Sequence, residues 1–501
     1  MAQAVQLEAA LRIIETLRAK GYEAYLAGGC VRDLLLGREP ADYDVATSAT
    51  PDVVLDLFPR TFAVGAHFGV VLVADSQPES SSETSRGEQP PVEVATFRSD
   101  LAYSDGRHPD AVRYTKTAEE DVRRRDFTIN GLLLDVTKLR SGNAGPSTRP
   151  SLCEGLAQDD HSKEMHIGLR AAVIDYVGGI DDLDAGVVRA IGRPELRFEE
   201  DRLRMLRAVR FAARFGFEIE PETRRAIRSL ASRIHAVSRE RVRDELTKML
   251  TEGHVRRAFE LLDETGLLAE VLPEIAKMKG VEQPPQFHPE GDVWVHTLML
   301  LEQLEPGCSA TLAWGALLHD VGKPPTFKRA ADRIRFDGHA AMGVAMGAEI
   351  CRRFRFSNDD TRQILALIEN HMRFMDAQRM KSSTLKRFFR LERFEEHLAL
   401  HRMDCLASNG FLDHWEFVRE HWLATPEEQV RPRPLITGRE LIAAGYKPGA
   451  GFREMLRVAE DAQLEGTIAT AEDALRLVRE QFPQKDLPSQ LESLRSANED
   501  E

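Results

Sequence analysis

Two aspartates separated by one residue, Asp42 and Asp44, are the residues of this chain whose types and spacing most directly indicate chemistry. Side chains at i and i+2 of a β-strand project from the same face, so a strand here would aim both carboxylates at one point. Mg²⁺ usually takes one or two protein carboxylates and leaves its other positions to water and substrate phosphates. Aspartates at this spacing also occur in solvated acidic loops, so the pair needs a second feature to indicate a metal site.

A glycine turn directly upstream supplies that feature. Gly28 and Gly29 lack a Cβ, so backbone N–H groups can approach a triphosphate there, and Arg32 adds a fixed positive charge. The turn and the two aspartates together predict a site that attacks a nucleoside triphosphate with the help of a divalent metal ion.

The composition describes an ordinary soluble chain too long for a single core. It has 501 residues, 42% hydrophobic and 30% charged, which suggests about three domains. No apolar run is long enough to span a bilayer, and the start of the chain does not resemble a signal peptide. The five cysteines form no CxxC pair or zinc spacing, which predicts reduced thiols and a cytoplasmic location.

The net charge of −14 argues against nucleic-acid binding, but one segment of the chain is positively charged. From Arg197 to Arg243 there are thirteen Arg and seven Asp or Glu, a balance of +6. Such a segment is a candidate track for phosphates, including contacts from Arg207 and Arg210. A solvated helix face with ion pairs explains the charges equally well.

The hydrophobic pattern changes along the chain. Short strands alternate with helices in the first part of the chain, and from Arg197 onward the pattern is almost wholly helical, with no convincing strand. Two polar stretches, about 76–91 and 138–163, have little to bury and read as insertions.

Five motifs in order resemble the class II tRNA nucleotidyltransferase and bacterial poly(A) polymerase family. They cover the chain to about residue 270, and chance is not a serious explanation for their order. The motifs are 26–33 with 42–44, the loop 104–109, Arg124 to Asn130, the hinge from Asp175 to Leu183, and Glu200 to Arg204 of the pattern EDxxR.

The resemblance implies metal-dependent transfer of a nucleotide to a terminal RNA hydroxyl. Metal ions held by Asp42 and Asp44 would activate the hydroxyl and neutralise the leaving oxygens. Glu93 could add a third acidic contact, or be an ordinary carboxylate on a strand face. Arg124 and Arg125 would supply charge for the triphosphate, with Asp126 and Asn130 as ribose or backbone ligands; an ion-paired helix start is the alternative.

The EDxxR motif implies base selection without a template. On one helix, Glu200, Asp201 and Arg204 would share a face. Cytosine and adenine each offer an amine beside a ring-nitrogen acceptor, which suits a carboxylate acceptor and a guanidinium donor. Guanine and uracil present a carbonyl where Asp201 needs a donor. Glu200 would orient Arg204, Arg207 would belong to the same nucleotide site, and an intrahelical salt bridge is the alternative.

The family includes enzymes that add CCA, CC, A or poly(A). Where the poly(A) polymerases of this group carry a basic stretch, this chain has Gly65 to Val70, which favours a tRNA-directed enzyme. The loop from Tyr103 to Pro109 looks intact and argues mildly against a CC-only enzyme.

A second metal site is implied further along by a resemblance to the HD phosphohydrolase superfamily. His296, His319, Asp320 and Asp404 follow its order of metal ligands, and His339 and His371 could hold a second ion. Mixed nitrogen and oxygen ligands suit Mn²⁺, Ni²⁺ or Fe²⁺ better than Mg²⁺. A single buried histidine is more often a core residue, and some relatives keep this domain only to bind tRNA.

These observations predict an α+β protein: a polymerase-β-like nucleotidyltransferase head with a mixed β-sheet, an all-α neck and body, and an all-α HD-type tail. The expected domains are 1–192, 193–280, 283–410 and a helical tail at 411–501. The expected partners are tRNA, ATP and CTP, with Mg²⁺ in the head, no membrane and an undetermined oligomeric state. Two other classes remain open: an HD hydrolase with a vestigial head, and a non-catalytic RNA-binding protein.

Overall fold

The computed structural model describes residues 2–62, 69–74, 91–101, 111–139, 162–286 and 288–483. The predicted loop 104–109 and Cys153 lie outside these ranges, as do most of Gly65 to Val70 and most of the two predicted insertions. The chain divides into two compact units, the first comprising residues 1–276 and 305–307, the second 277–304 and 308–501. No described helix is long and apolar enough to cross a membrane.

A seven-stranded sheet organises the amino-terminal part of the first unit, with the order β3-β4-β5-β2-β1-β8-β9. Strands β2 and β5 run parallel and the other neighbours are antiparallel, so the predicted mixed sheet is confirmed. The strands of this sheet are β1 (Ala24–Ala27), β2 (Val45–Thr47), β3 (Thr61–Phe62), β4 (Val70–Val73), β5 (Val92–Thr96), β8 (Leu133–Leu134) and β9 (Val173–Ile174). Two further strands, β6 (Arg98–Leu101) and β7 (Ala111–Tyr114), form a separate antiparallel pair.

Helices cover this sheet because their apolar faces match its buried strands. The first helix buries Leu7, Ala10, Ile14 and Leu17 completely or nearly so, at the 3–4-residue spacing of one helical face. The helices of this region are α1 (Ala2–Ala19), α2 (Gly29–Leu35), α3 (Pro51–Leu57), α4 (Ala118–Arg123), α5 (Val136–Leu139), α6 (Ser162–Ala172) and α7 (Gly179–Ala185), with a 3₁₀ turn at Thr128–Asn130.

The rest of the first unit is helical, apart from one short pair of strands. The strands β10 (Val187–Val188) and β11 (Glu218–Ile219) are parallel. The helices are α8 (Pro194–Glu200), α9 (Arg204–Phe215), α10 (Pro221–Leu230), α11 (Arg239–Thr251), α12 (Val255–Glu264), α13 (Leu267–Val271) and α14 (Pro273–Ala276), with a 3₁₀ segment at Ala231–Ala236.

The second unit is also almost wholly helical. Its helices are α15 (Val293–Leu301), α16 (Ala310–Leu318), α17 (Lys323–Thr326), α18 (His339–Arg353), α19 (Asn358–Asn370), α20 (Ser382–Phe388), α21 (Phe394–Ala407), α22 (Asp413–Ala424), α23 (Glu427–Val430), α24 (Gly438–Ala443), α25 (Gly451–Glu465) and α26 (Ala471–Gln481), with a 3₁₀ segment at His371–Arg379. One hairpin is formed by β12 (Lys328–Arg329) and β13 (Ile334–Arg335).

The expectation that no strand follows Arg197 was therefore wrong. Three strands lie beyond it, β11, β12 and β13, and each has only two residues. A two-residue strand leaves no alternating hydrophobic pattern, which is why the sequence did not reveal them.

Candidate nucleotide and metal sites

The two aspartates lie beside the first strand of the sheet, at the point where that strand ends in the glycine turn. The backbone N–H of Ala27 donates to the carbonyl of Asp44 at 3.0 Å, so the pairing of β1 with β2 extends one residue beyond the strand itself. Asp42 and Asp44 precede β2, which begins at Val45, and the prediction of a strand through Asp42 was wrong in this detail. Both side chains nevertheless line one cavity of about 750 Å³.

Glu93 joins the two aspartates because of the sheet register. In the parallel pair, Val45 lies opposite Val94, so the residues immediately before them, Asp44 and Glu93, are also neighbours. Burial and the nearby charges of Glu93 and Asp42 raise the pKa of Asp44 to about 7. Burial and Asp42 likewise raise the pKa of Glu93.

This crowding of acids is the feature that fits a divalent cation. In the described part of the chain, no side chain donates a hydrogen bond to the carboxylates of Asp42, Asp44 or Glu93. Carboxylates that face one cavity and repel one another gain most from a shared cation with oxygen ligands. These three side chains could therefore hold Mg²⁺, which would supply positive charge beside the phosphates of a nucleotide.

The glycine turn takes a conformation that requires glycine. Gly28 has φ of +74°, and a Cβ there would lie 2.9 Å from Nη1 of Arg125. Arg32, in the helix after the turn, is buried and donates from Nη1 to Oδ1 of Asn130 at 2.5 Å. Gly28, Gly29 and Arg32 line the same cavity as the aspartates.

Arg124 and Arg125 follow helix α4 and share one partner. Asp121 accepts from Arg124 at 2.7 Å and from Arg125 at 3.0 Å, so both arginines are ion-paired as the alternative interpretation expected, although at the end of a helix. The i, i+3 and i, i+4 spacing of Asp121 could have revealed this partner from the sequence.

Asp126 forms the next layer of the cavity wall. Its Oδ1 accepts from Nδ2 of Asn130 at 3.0 Å, and its Oδ2 accepts from Nε of Arg207 at 2.8 Å. Burial alone would raise the pKa of Asp126, but Arg207 and Asn130 hold it at about 2. Arg207 is therefore bound to an acid, and Arg210 is similarly paired with Glu245 at 2.7 Å.

The EDxxR motif does not lie on one helix. Helix α8 ends at Glu200, Asp201 has an extended backbone, and α9 begins at Arg204. The prediction of a single helical face was wrong because a helix break within the motif leaves no mark in so short a pattern. Glu200 still contacts Arg204 at 2.7 Å, and both Asp201 and Arg204 line the cavity.

Two main-chain carbonyls also position Arg204. Its Nη1 donates to the carbonyl of Arg197 at 3.2 Å, and its Nη2 donates to the carbonyl of Arg124 at 3.1 Å. Asp201 accepts from Arg241, which lies 40 positions away and which no local sequence pattern connects with it.

The second unit brings all six predicted HD-type residues into one cluster. Ligand atoms of His296, His319 and Asp404 lie within 4.8 Å of one another, and those of Asp320, His339 and His371 form a second such group. Nε2 of His296 lies 3.0 Å from Oδ1 of Asp404.

Asp320 connects the two groups through its two oxygens. Its Oδ2 lies 3.1 Å from Nε2 of His319, and its Oδ1 lies 3.7 Å from Nε2 of His339 and 3.9 Å from Nε2 of His371. Among the described residues, Nε2 of His296, Nε2 of His319 and Oδ2 of Asp320 are buried, and their close contacts are with charged groups of the cluster but not in hydrogen-bond geometry. Buried ligand atoms that converge in this way fit one or two divalent ions.

Charge within the cluster is shared between histidines and acids. Burial alone would lower the pKa of His296, but Asp404 and Glu290 raise it to about 9. Burial and the neighbouring His319 lower the pKa of His371 to about 4. Burial would raise the pKa of Asp320, and His319 and Lys323 hold it well below its usual range.

The structure adds residues that the sequence did not suggest. Glu290 accepts at Oε1 from Nδ1 of His296 at 2.7 Å, which turns Nε2 of that ring towards the cluster. Nζ of Lys323 lies 2.6 Å from Oδ2 of Asp320 and donates to Oε1 of Gln283 at 2.6 Å. Lys323 lies three residues after Asp320, so its spacing was a signal available in the sequence.

Comparison with known proteins agrees with this geometry. Three family models match in order: the poly A polymerase head domain at residues 24–143, the "Probable RNA and SrmB- binding site of polymerase A" at 216–279, and the HD domain at 292–408. The fold and the two clusters thus define a nucleotidyltransferase head followed by an HD domain.

Two relatives that are similar in sequence carry the same name. The CCA-adding enzyme of Lactobacillus gasseri is 37% identical over 298 residues, which is 59% of this chain and 64% of that protein. The CCA-adding enzyme of Geobacillus stearothermophilus is 38% identical over 267 residues, 53% of this chain and 55% of that protein. The chain is therefore similar in sequence to CCA-adding enzymes, although it spans less than two thirds of the length of these relatives.

Solved structures share the fold over most of the chain. The CCA-adding enzyme of Bacillus stearothermophilus in complex with CTP has a TM-score of 0.68 at 24% identity, covering 98% of this chain and 99% of that one. The Thermotoga maritima CCA-adding enzyme complexed with tRNA has a TM-score of 0.53 at 18% identity, covering 95% of each chain.

Proposed function

We propose that this protein adds CMP and AMP to the 3′ end of tRNA, completing or repairing its CCA terminus without a nucleic-acid template. The observation that carries the proposal is one cavity lined by two kinds of residue. Asp42 and Asp44 would hold Mg²⁺ at the phosphates, while Asp201 and Arg204 would read the edge of the base.

The donors and acceptors of the cavity suit C and A. Arg204 can only donate hydrogen bonds, whereas the carboxylate of Asp201 can only accept them. Cytosine and adenine each present an amine beside a ring-nitrogen acceptor, and uracil and guanine place a carbonyl where Asp201 needs a donor. A mismatched base would leave a polar group of the site unpaired, which costs more than a matched hydrogen bond gains.

Four residues on the phosphate side support the same site. Gly28 and Gly29 leave room for backbone approach, and Arg124 and Arg125, which both pair with Asp121, line the cavity. Their guanidinium groups would donate to the oxygens of a bound triphosphate. We place this reaction in the cytoplasm, in keeping with the absence of paired cysteines in the sequence.

The test uses tRNA that lacks its terminal trinucleotide, incubated with labelled CTP, ATP or both in the presence of Mg²⁺. Addition of C, C and A in order, read from product length and sequence, is the expected result. Addition of adenylates alone in a long tract would identify a poly(A) polymerase, and two cytidylates or one adenylate would identify a CC-adding or A-adding enzyme. No addition to any tRNA would refute the proposal.

A second activity, phosphohydrolysis by the HD domain, is supported by a separate observation. The converging, buried ligand atoms around Asp320 would hold Mn²⁺, Ni²⁺ or Fe²⁺, which would lower the pKa of a bound water and so supply a hydrolytic nucleophile. Hydrolysis of a 2′,3′-cyclic phosphate with added Mn²⁺ or Ni²⁺ is the expected result. Failure of each of these metals to support hydrolysis of cyclic phosphates and nucleotides would reduce the domain to a tRNA-binding role.

A further inference from the structure

The carboxylate of Asp201 is held by a single cation from another helix. Nη1 of Arg241 donates to Oδ1 at 3.2 Å and Nη2 donates to Oδ2 at 2.7 Å, so the guanidinium spans both oxygens. Among the described residues, only Arg241 forms an ion pair with Asp201. Arg241 also lines the cavity that contains Asp201 and Arg204.

This pairing determines which lone pairs of Asp201 remain. An ionised carboxylate has about four acceptor positions on its two oxygens. Arg241 takes one on each oxygen, and the backbone N–H of Leu203 takes another on Oδ1 at 3.0 Å. The unused acceptor is on Oδ2, and the fork of Arg241 fixes the plane in which it points.

Arg241 lies on helix α11, which is packed firmly into the core. Its neighbour Val242 and, one turn further on, Leu246 are fully buried, so the helix is anchored in the core of the first unit. The side chain of Arg241 retains 22% exposure and that of Asp201 17%, so the pair is shielded from water but open to the cavity. A planar guanidinium in such a place defines a direction as well as a charge.

From this geometry we propose that Arg241 is a positioning residue for base selection. It holds the Asp201 carboxylate so that one acceptor meets the exocyclic amine of cytosine or adenine. Without Arg241 the carboxylate is free to turn and accept from other donors, such as the ring N–H of uracil or guanine. The inference rests on the proposed nucleotide addition and adds a specificity determinant to it.

The experiment measures kcat/KM for CTP, ATP, UTP and GTP on tRNA lacking CCA, with wild type, R241A and R241K. Because discrimination is a ratio of kcat/KM values, the expected result in R241A is a rise of about tenfold in the UTP to CTP ratio. R241K should lose discrimination similarly, since an ammonium is a point charge that cannot span two oxygens. Because R241K retains the positive charge at this position, it can be measured even if R241A does not fold.

The matched control is R256A. Arg256 pairs with Glu260 at 3.0 Å on helix α12 and does not line the cavity, so its removal should leave the ratio at the wild-type value. In a D201A background, R241A should change the ratio no further, whereas a general structural effect would add to that of D201A.

An unchanged UTP to CTP ratio in R241A, or wild-type discrimination in R241K, would overturn the inference. If wild type adds no nucleotide to tRNA, the proposed function fails instead. Equilibrium binding of CTP and UTP with Mg²⁺ then decides the role of Arg241: the preference for CTP should fall in R241A, and an unchanged preference would refute the role.

Discussion

Arg207 and Asp126, 81 residues apart, form a two-pronged ion pair in the wall of the nucleotide cavity. Nε and Nη2 of Arg207 lie 2.8 and 2.7 Å from the same oxygen, Oδ2 of Asp126. The other oxygen accepts from the side-chain amide of Asn130, and Oδ1 of that amide accepts from Arg32. The pair thus links helix α9 to helix α2, which follows the glycine turn, through a chain of hydrogen bonds.

Arg207→Ala should therefore destabilise the protein by about 3 kcal/mol, because it leaves the buried carboxylate of Asp126 without its cation. Urea unfolding of the first unit, followed by circular dichroism, measures the change. Arg256→Ala removes a more exposed arginine from a pair on a neighbouring helix and should cost less than about 1 kcal/mol. Equal losses in the two variants would contradict a structural role for the Arg207–Asp126 pair.

Arg204→Ala should relax nucleotide selection so that UTP competes with CTP. The guanidinium is the donor that a cytosine or adenine ring nitrogen requires, and its removal takes away that preference. Competition between labelled UTP and unlabelled CTP on tRNA lacking CCA measures the effect. Glu200→Gln is the comparison: two carbonyls still hold Arg204 there, so its effect should be smaller. Unchanged discrimination in Arg204→Ala would remove this account of base choice.

Asp320→Ala should abolish divalent metal binding in the second unit and leave nucleotide addition intact. Asp320 contributes an oxygen to each side of the histidine cluster, whereas Asp42 and Asp44 lie in the first unit. Metal content after dialysis against Mn²⁺ or Ni²⁺ is the readout, with CMP incorporation as the control. Retention of the wild-type metal content by the variant would show that the ion binds elsewhere.

His397 should make the fold sensitive to acid. Both of its ring nitrogens are buried and lack a hydrogen-bond partner among the described residues, and burial, with a contribution from Arg373, lowers its pKa to about 4. The unfolded chain binds a proton near pH 6.5 and the folded chain does not. The free energy of unfolding therefore keeps its full value above that pH and decreases as the pH falls from 6.5 towards 4.

His397→Leu should remove this loss. At pH 5 the histidine costs about 2 kcal/mol relative to pH 7.5, so the variant should be more stable than wild type at pH 5 by about that amount. Urea unfolding at both pH values gives the comparison. A variant with the same pH dependence as wild type would show that the proton binds to other histidines instead.

The local sequence was sufficient to predict a site residue where the residues of one short motif lie together. The glycine turn and the two aspartates line one cavity as predicted, although the aspartates precede the strand, and His319 and Asp320 lie in the histidine cluster. Glu93 was found because neighbouring strands were recognised, and the parallel register then places it beside Asp44.

Partners distant in the sequence could not be found in this way. Asp201 meets Arg241, and Arg210 meets Glu245, only because separate helices pack together. The break between α8 and α9 also escaped the sequence, since Glu200 and Arg204 show the same i, i+4 spacing with or without it. Charge counts left two possibilities for the segment from Arg197 to Arg243, a phosphate track or a helix face with ion pairs, and the structure pairs many of these arginines with acids.

The substitution Asp42→Ala is the sharpest test of whether Asp42 holds the Mg²⁺ needed for nucleotide addition. Incorporation of CMP and AMP into tRNA lacking CCA is measured beside tRNA binding, with Asp56→Ala, an exposed acid outside the cavity, as control. Asp42→Ala should abolish incorporation and preserve tRNA binding, while Asp56→Ala should preserve both. Incorporation by Asp42→Ala at near the wild-type rate would refute the role of Asp42 in holding Mg²⁺.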